Sequence, residues 1–189
     1  MTRTASTALP ARRTTGLALA QGVIESPLGP LTALASEAGL MGLWFDRQQH
    51  GPGGLDAPVD ESQRWIAQAR AELALYFAGR LREFKVALAP QGTEFQEAVW
   101  RRLCAIACGA TTSYGRIARE VGSPQASRAV GAAVGRNPIS IIVPCHRVIG
   151  ENGTLTGYAG GLDRKQVLLD IEGVVLASGA RHQAQASLL

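Results

Sequence analysis

The sequence predicts an α/β (α+β) protein with a small N-terminal antiparallel sheet and helix, followed by a mostly helical C-terminal domain containing a helix-turn-helix. Three observations carry this expectation. Short apolar runs broken by Gly and Pro fill residues 21–45, the pattern of strands joined by tight turns. Apolar residues then recur at helical spacing over residues 60–79 and again from residue 93 onward. Finally, 189 residues with 46% hydrophobic and 18% charged content describe an ordinary globular chain of one domain or two small ones.

Residues 1–20 mix Thr, Ala, Arg and Pro without periodicity and are expected to form a disordered leader. Residues 21–90 are expected to form the first domain. Its strands are Gly22-Val23-Ile24, Leu31 to Ala35 and Gly39 to Phe45, and residues 47–59 make a Gly/Pro/Gln loop. Asp60, with Gln63 three residues on, reads as a capping box opening a helix that carries Trp65, Ile66, Ala69, Leu73, Tyr76 and Phe77 up to Gly79. Phe84 to Leu88 is expected to return to the sheet as a strand. Ala89-Pro90-Gln91-Gly92 marks the boundary.

Residues 91–176 are expected to form the second domain. Thr93 and Gln96 form another capping box before a helix presenting Phe95, Val99, Trp100, Leu103 and Ile106. Two helices follow, Ser113 to Val121 and Gln125 to about Arg136, separated by Gly122-Ser123-Pro124. Pro138 drives Asn137 out of the α region and ends the second of them. Ile139 to Val143 is rich in β-branched residues and is expected to be extended. A glycine-rich loop over residues 150–161 leads into a last helix, Leu162 to Ile171, and residues 177–189 read as a flexible tail.

A formal net charge of +4 tilts the chain mildly toward a polyanionic partner, and nearly all positive charge is arginine, Lys85 and Lys165 being the only lysines. Cys104, Cys108 and Cys145 do not make a disulfide framework, which suits a reducing cytoplasm. Cys104 and Cys108 read as small helix-packing residues rather than a metal pair. No run is long enough for a secretion signal or membrane span. Neither a metal nor a cofactor is expected.

The chemistry concentrates in Pro144-Cys145-His146-Arg147-Val148-Ile149. A thiol must lose its proton to become a strong nucleophile, and a nearby histidine or positive field is the usual means. In an extended chain adjacent side chains point to opposite faces, so Cys145 and His146 would communicate through a water or a turn after Pro144. A histidine base also needs a partner to fix its tautomer. Glu172 is the attractive carboxylate, with Glu151 and Asp163 as competitors. Residues 111–147 hold Arg116, Arg119, Arg128, Arg136 and Arg147 against one acid, Glu120, the charge asymmetry expected for contact with a phosphate backbone. Residues 126–135 are almost all Ala, Gly, Ser and Val, slim enough to approach a groove closely with Arg128 as the one long projection.

The Pro-Cys-His-Arg block resembles the active-site signature of the O6-alkylguanine-DNA alkyltransferases. The resemblance extends to Ser113-Tyr114-Gly115, Ser127-Arg128-Ala129-Val130-Gly131, Asn137-Pro138, Gly157 to Leu162 and Glu172-Gly173, in order through the C-terminal half. The N-terminal half is similar only in general pattern, a ribonuclease-H-like sheet and helix. The resemblance implies direct-reversal DNA repair: Cys145 takes the alkyl group from guanine O6 irreversibly, with O4 of thymine as a further candidate, and acts once. It implies a series Glu172, His146, water and Cys145 for removing the thiol proton. Tyr114 would bond guanine N3, and Asn137 would hold the turn before the active-site strand. Arg128 would fill the gap left by a nucleotide flipped from double-stranded DNA bound through its minor groove.

Ser127, Ala129, Gly131, Arg136, Thr111 and Ser113 complete the implied DNA contacts. Val134, Val148, Tyr158, Ala159 and Pro144 complete the implied pocket, the carbonyls of Cys145 and Val148 taking the exocyclic amine. Some relatives carry serine where this chain has Ala159, so only a backbone contact carries over there. A monomer is expected, with clustering along DNA left open. At this stage a binding module without repair, a cysteine hydrolase and a transcription regulator remain as alternatives.

Overall fold

The computed structural model describes residues 18–176, so the expected leader up to Leu17 and the expected tail from Ala177 lie outside the described residues. The N-terminal half is an antiparallel sheet, β1 (Ala20–Ile24), β2 (Leu31–Ala35) and β3 (Leu40–Phe45), in the order β1-β2-β3. Ala20 pairs with Ala35 and Leu31 with Phe45, and the β2–β3 register shifts at Leu34/Ala35. Helix α1 (Arg64–Phe77) lays Ile66, Ala69, Leu73 and Tyr76 on the sheet, the stripe expected from their spacing.

Two local expectations are corrected in this half. The helix is capped by Gln63, whose side chain accepts from the amides of Trp65 (2.7 Å) and Ile66 (3.2 Å), and not by Asp60. Asp60 instead closes a turn one step earlier, accepting from the amide (2.9 Å) and hydroxyl (2.6 Å) of Ser62. The segment Phe84 to Leu88 does not form a strand. It touches the sheet through one parallel bridge at Leu40 and Leu88, while the Glu72 carboxylate takes the amides of Lys85 (2.8 Å) and Val86 (3.2 Å). Two amides capped by a side chain are lost to any ladder.

In the second half, α2 (Glu94–Cys104) opens on the expected Thr93/Gln96 capping box. Strand β4 (Thr112–Ser113) leads into α3 (Tyr114–Glu120), and Val121 to Ala126 joins that helix to α4 (Ser127–Gly135). The α3 and α4 helices pack on each other and on α2, where Trp100 donates its indole N–H to the Ala133 carbonyl at 2.9 Å. The single 3-10 turn Cys145–Arg147 runs into β5 (Val148–Ile149), which pairs in parallel with β4. Helix α5 (Leu162–Ile171) closes the order. One buried apolar cluster runs through both halves, from Ile24, Leu43 and Ile66 to Trp100, Val130, Val143 and Leu168.

The stretch Ile139 to Val143 is the main departure from the expected extended chain. It bridges the sheet once, where Ser140 donates to the Leu43 carbonyl at 2.8 Å, and then turns back at Ile141, whose φ is +69°. Left-handed backbone is strained for a β-branched residue. Asn137 holds the reversal, its amide nitrogen donating to the carbonyls of Ile139 (3.2 Å) and Val143 (2.8 Å), while its oxygen takes the Ile139 amide (3.0 Å). Local β propensity therefore yields to a side chain two residues upstream.

Candidate active site

The reversal and the turn after it place Cys145 where the sequence argument needed it. Cys145, His146 and Arg147 occupy one 3-10 turn rather than an extended strand, so their side chains fan in different directions. All three are buried. The Asn137 amide donates to the Cys145 sulfur at 3.1 Å, so Asn137 both shapes the turn and touches the nucleophile. Burial pushes the Cys145 thiol above its ordinary value, opposed by the Asn137 hydrogen bond and the charge of Lys165. The free protein therefore stores a thiol, and a base has to remove its proton.

The adjacent histidine is oriented by a carboxylate. His146 Nε2 lies 2.8 Å from Glu172 Oε1, and a carboxylate only accepts, so Nε2 carries the proton and Nδ1 is bare. His146 Nδ1 is buried and has no hydrogen-bond partner within the protein. Burial lowers the His146 pKa, against the pull of Glu172, which keeps the ring neutral and basic at Nδ1. Among the three carboxylates considered from sequence, the structure brings Glu172 to the histidine.

Glu172 is itself held by donors from several elements. Arg147 reaches it through Nε (2.8 Å to Oε2) and Nη2 (2.9 Å to Oε1), and also holds the Ile106 carbonyl. The Gly109 amide lies 3.3 Å from Oε2, and the Tyr76 hydroxyl donates to Oε1 at 2.9 Å. Burial alone would raise the Glu172 pKa. The hydrogen bonds and charges of His146 and Arg147 hold it well below the usual carboxylate range. Arg147 is thereby corrected as a member of the surface charge cluster: it is buried in this ion pair, while Arg116, Arg119, Arg128 and Arg136 are exposed.

In front of Cys145 lies a cavity of about 270 Å³. Of the residues expected at the site, Tyr114, Val134, Tyr158, Ala159 and Cys145 line it, as does Gly131, which the sequence reading placed among the DNA contacts. Pro144 and Val148, expected in the pocket, are buried and do not line this cavity. The Val148 carbonyl instead accepts from Lys165 Nζ at 2.5 Å, together with the carbonyls of Thr156 (2.6 Å) and Gly157 (3.3 Å). The Tyr114 hydroxyl shares two of those carbonyls, Thr156 (3.4 Å) and Gly157 (3.5 Å), and burial raises its pKa so that it stays a phenol. Arg128 and Ala129 are exposed on α4 and Ser127 half-buried at its start, whereas Ser113 caps α3 through the Arg116 amide at 3.3 Å. Thr111 is half-buried next to β4, and Arg136 is exposed past the end of α4.

Sequence reasoning missed four residues here. Lys165 is fully buried, and burial lowers its pKa to about 8. Gln49 and His50 come from the loop after β3 and line the cavity, the Gln49 amide anchored on the Ala159 carbonyl at 3.0 Å. Tyr76 looked like one more apolar position on a helix. The only signal for any of them was Lys165, a lone lysine in an arginine-rich half.

A buried thiol at the floor of an open cavity, backed by a neutral imidazole and a fully bonded carboxylate, defines a cysteine-nucleophile protein on a two-part α/β scaffold. The family models agree in detail. Residues 19–90 match the 6-O-methylguanine DNA methyltransferase ribonuclease-like domain, and residues 94–174 match the DNA-binding domain of the same family. The chain is 50% identical over 153 residues to a methylated-DNA–protein-cysteine methyltransferase of Methanosarcina acetivorans, covering 80% of this chain and 96% of the relative. It is 46% identical over 165 residues to that of Mycobacterium leprae, covering 87% and 94%. The structure of Mycobacterium tuberculosis OGT in complex with DNA superposes with a TM-score of 0.78 at 46% identity, covering 82% of this chain and 93% of that one. This chain belongs to the 6-O-methylguanine DNA methyltransferase family.

Proposed function

We propose that the protein repairs DNA by direct reversal, transferring an alkyl group from O6 of guanine to Cys145 in a single turnover. The observation that carries this reading is a cysteine thiol lining the cavity, next in the chain to a buried histidine whose Nε2 is held by Glu172 and whose Nδ1 is bare. The names of the relatives, and the DNA complex of the Mycobacterium tuberculosis protein, support it.

The steps follow from the groups present. A water between Cys145 and His146 Nδ1 passes the thiol proton to the imidazole, and Glu172 stabilises the imidazolium through Nε2. The sulfur attacks the alkyl carbon, the S–C bond forms, and the C–O6 bond breaks with its electron pair leaving on the purine. Tyr114, a protonated phenol at the cavity wall, donates to N3 and offsets that charge. A thioether offers no good leaving group, so the product is permanent.

O6 is inaccessible inside a duplex, so the base is flipped out. The slim α4, with exposed Arg128, enters the minor groove, where readout of sequence is poor and damage is found in any context. Ser127, Ala129, Gly131, Arg136, Thr111 and Ser113 flank that contact, and the protein works as a monomer in the cytoplasm. Among the described residues no helix is long and apolar enough to cross a membrane, and no group of three His, Cys, Asp or Glu side chains is placed to hold a metal.

Mass spectrometry tests the proposal. Incubation with O6-methylguanine duplex adds one methyl group to the peptide carrying Cys145. Cys145→Ser abolishes the transfer while retaining duplex binding. Multiple turnover, or methylation at another residue, overturns it.

A further inference from the structure

The relay is completed from the other half of the molecule. Tyr76 lies near the end of α1 in the N-terminal half, is 1% exposed, and donates its hydroxyl to Glu172 Oε1 at 2.9 Å. The same oxygen receives His146 Nε2 (2.8 Å) and Arg147 Nη2 (2.9 Å). Three donors converge on one oxygen, which offers about two lone-pair sites, so they compete for it. Of the three, His146 alone has to change its protonation during the reaction.

We propose that Tyr76 is a positioning residue of the proton relay, its hydroxyl setting how strongly Glu172 holds His146 and so how readily the imidazole accepts the Cys145 proton. This rests on the reading of Cys145 as the alkyl acceptor. The ring is packed edge-on to Phe77 and tilted against Phe84, each with centroids 5.4 Å away, which fixes the hydroxyl without help from the site. Burial and the Glu172 charge hold the phenol proton on at any working pH, so the donor never switches off. The charged or titratable groups that act on this cluster are Arg147, Lys165, Cys108 and Tyr158, with Arg82 acting on Cys108. None of these replaces the Tyr76 hydroxyl on Oε1: Arg147 is already bonded to Glu172, Lys165 is held by carbonyls, and among the described residues none of Cys108, Tyr158 and Arg82 hydrogen-bonds to Glu172.

The test is the pH dependence of alkylation by free O6-benzylguanine, together with the proton resonance of His146 Nε2. Tyr76→Phe keeps the packed ring and removes one competitor for Oε1. The midpoint of the acid limb rises by about half to one pH unit, and the Nε2 proton moves downfield as its bond to Glu172 shortens. Replacing Tyr76 with 3-fluorotyrosine keeps the hydroxyl but makes it a stronger donor, and both readouts move the opposite way. A purely structural tyrosine would lower the melting temperature and leave midpoint and resonance where they were. That result, in a folded variant, overturns the proposal. A wild-type protein inert to O6-benzylguanine would count against the repair reading, while the resonance would still decide the role of Tyr76.

Discussion

Arg147 and Lys165 are both buried close to the reacting thiol, and the fold holds them in opposite ways. Arg147 meets a carboxylate, donating twice to Glu172, and the pair is closed on itself. Lys165 meets only the carbonyls of Val148, Thr156 and Gly157, which supply dipoles but no countercharge. The ion pair makes Arg147 a brace for Glu172. The uncompensated lysine keeps a charge whose field reaches Cys145, at the cost of a pKa lowered to about 8. Arg128 provides the third setting, a cation left in solvent on α4 for a partner to neutralise.

The largest expected effect is on the brace. Arg147→Met leaves Glu172 charged, buried and short of its strongest donors, so denaturant unfolding shows a loss on the order of 3–5 kcal/mol. A loss under about 1 kcal/mol would mean that the pair contributes orientation and little stability.

Lys165→Met leaves three carbonyls unpaired but also removes the burden of a desolvated charge. The expected net loss is smaller, roughly 1–2 kcal/mol. Alkylation slows, because the Cys145 thiol loses the favourable field of Lys165. The pH dependence of stability separates the two cations further. Lys165 binds its proton less readily in the folded protein, about 8, than at its ordinary value of 10.5. Its burden on stability is full below pH 8 and is relieved as pH rises toward 10.5, with a slope of up to about 1.4 kcal/mol per unit. Wild type should gain stability over Lys165→Met across that window. A parallel pair of curves would show that the charge is already neutralised.

The smallest stability effect is at Arg128. Arg128→Ala changes unfolding by less than about 0.5 kcal/mol. It nevertheless slows repair in duplexes far more than reaction with free O6-benzylguanine. Equal losses on both substrates would remove its role in base extrusion.

The pairing of His146 with a carboxylate was largely legible in the sequence. Cys145 and His146 are adjacent in the chain, and a histidine base implies an orienting carboxylate, which restricts the search to a few acids. Choosing Glu172 over Glu151 and Asp163 from the residues alone was beyond reach, because that choice depends on how α5 packs on the 3-10 turn. The extended reading of Ile139 to Val143 failed for a related reason. β propensity is local, whereas the reversal at Ile141 is imposed by the Asn137 side chain and by the bridge to β3.

Amino-acid order by itself determined the α/β architecture, the reactive cysteine with its adjacent histidine and the slim arginine-bearing helix, because turn residues, hydrophobic period and the reactivity of a thiol are local properties. Only tertiary structure decided which groups act on them from a distance. Tyr76 reaches Glu172 from the other half of the chain, Lys165 finds three carbonyls, and Gln49 and His50 line the cavity from the loop after β3. A tyrosine on an apolar helix face and a lone lysine carry no sign of their partners, since burial and hydrogen bonding are settled by what folds against them.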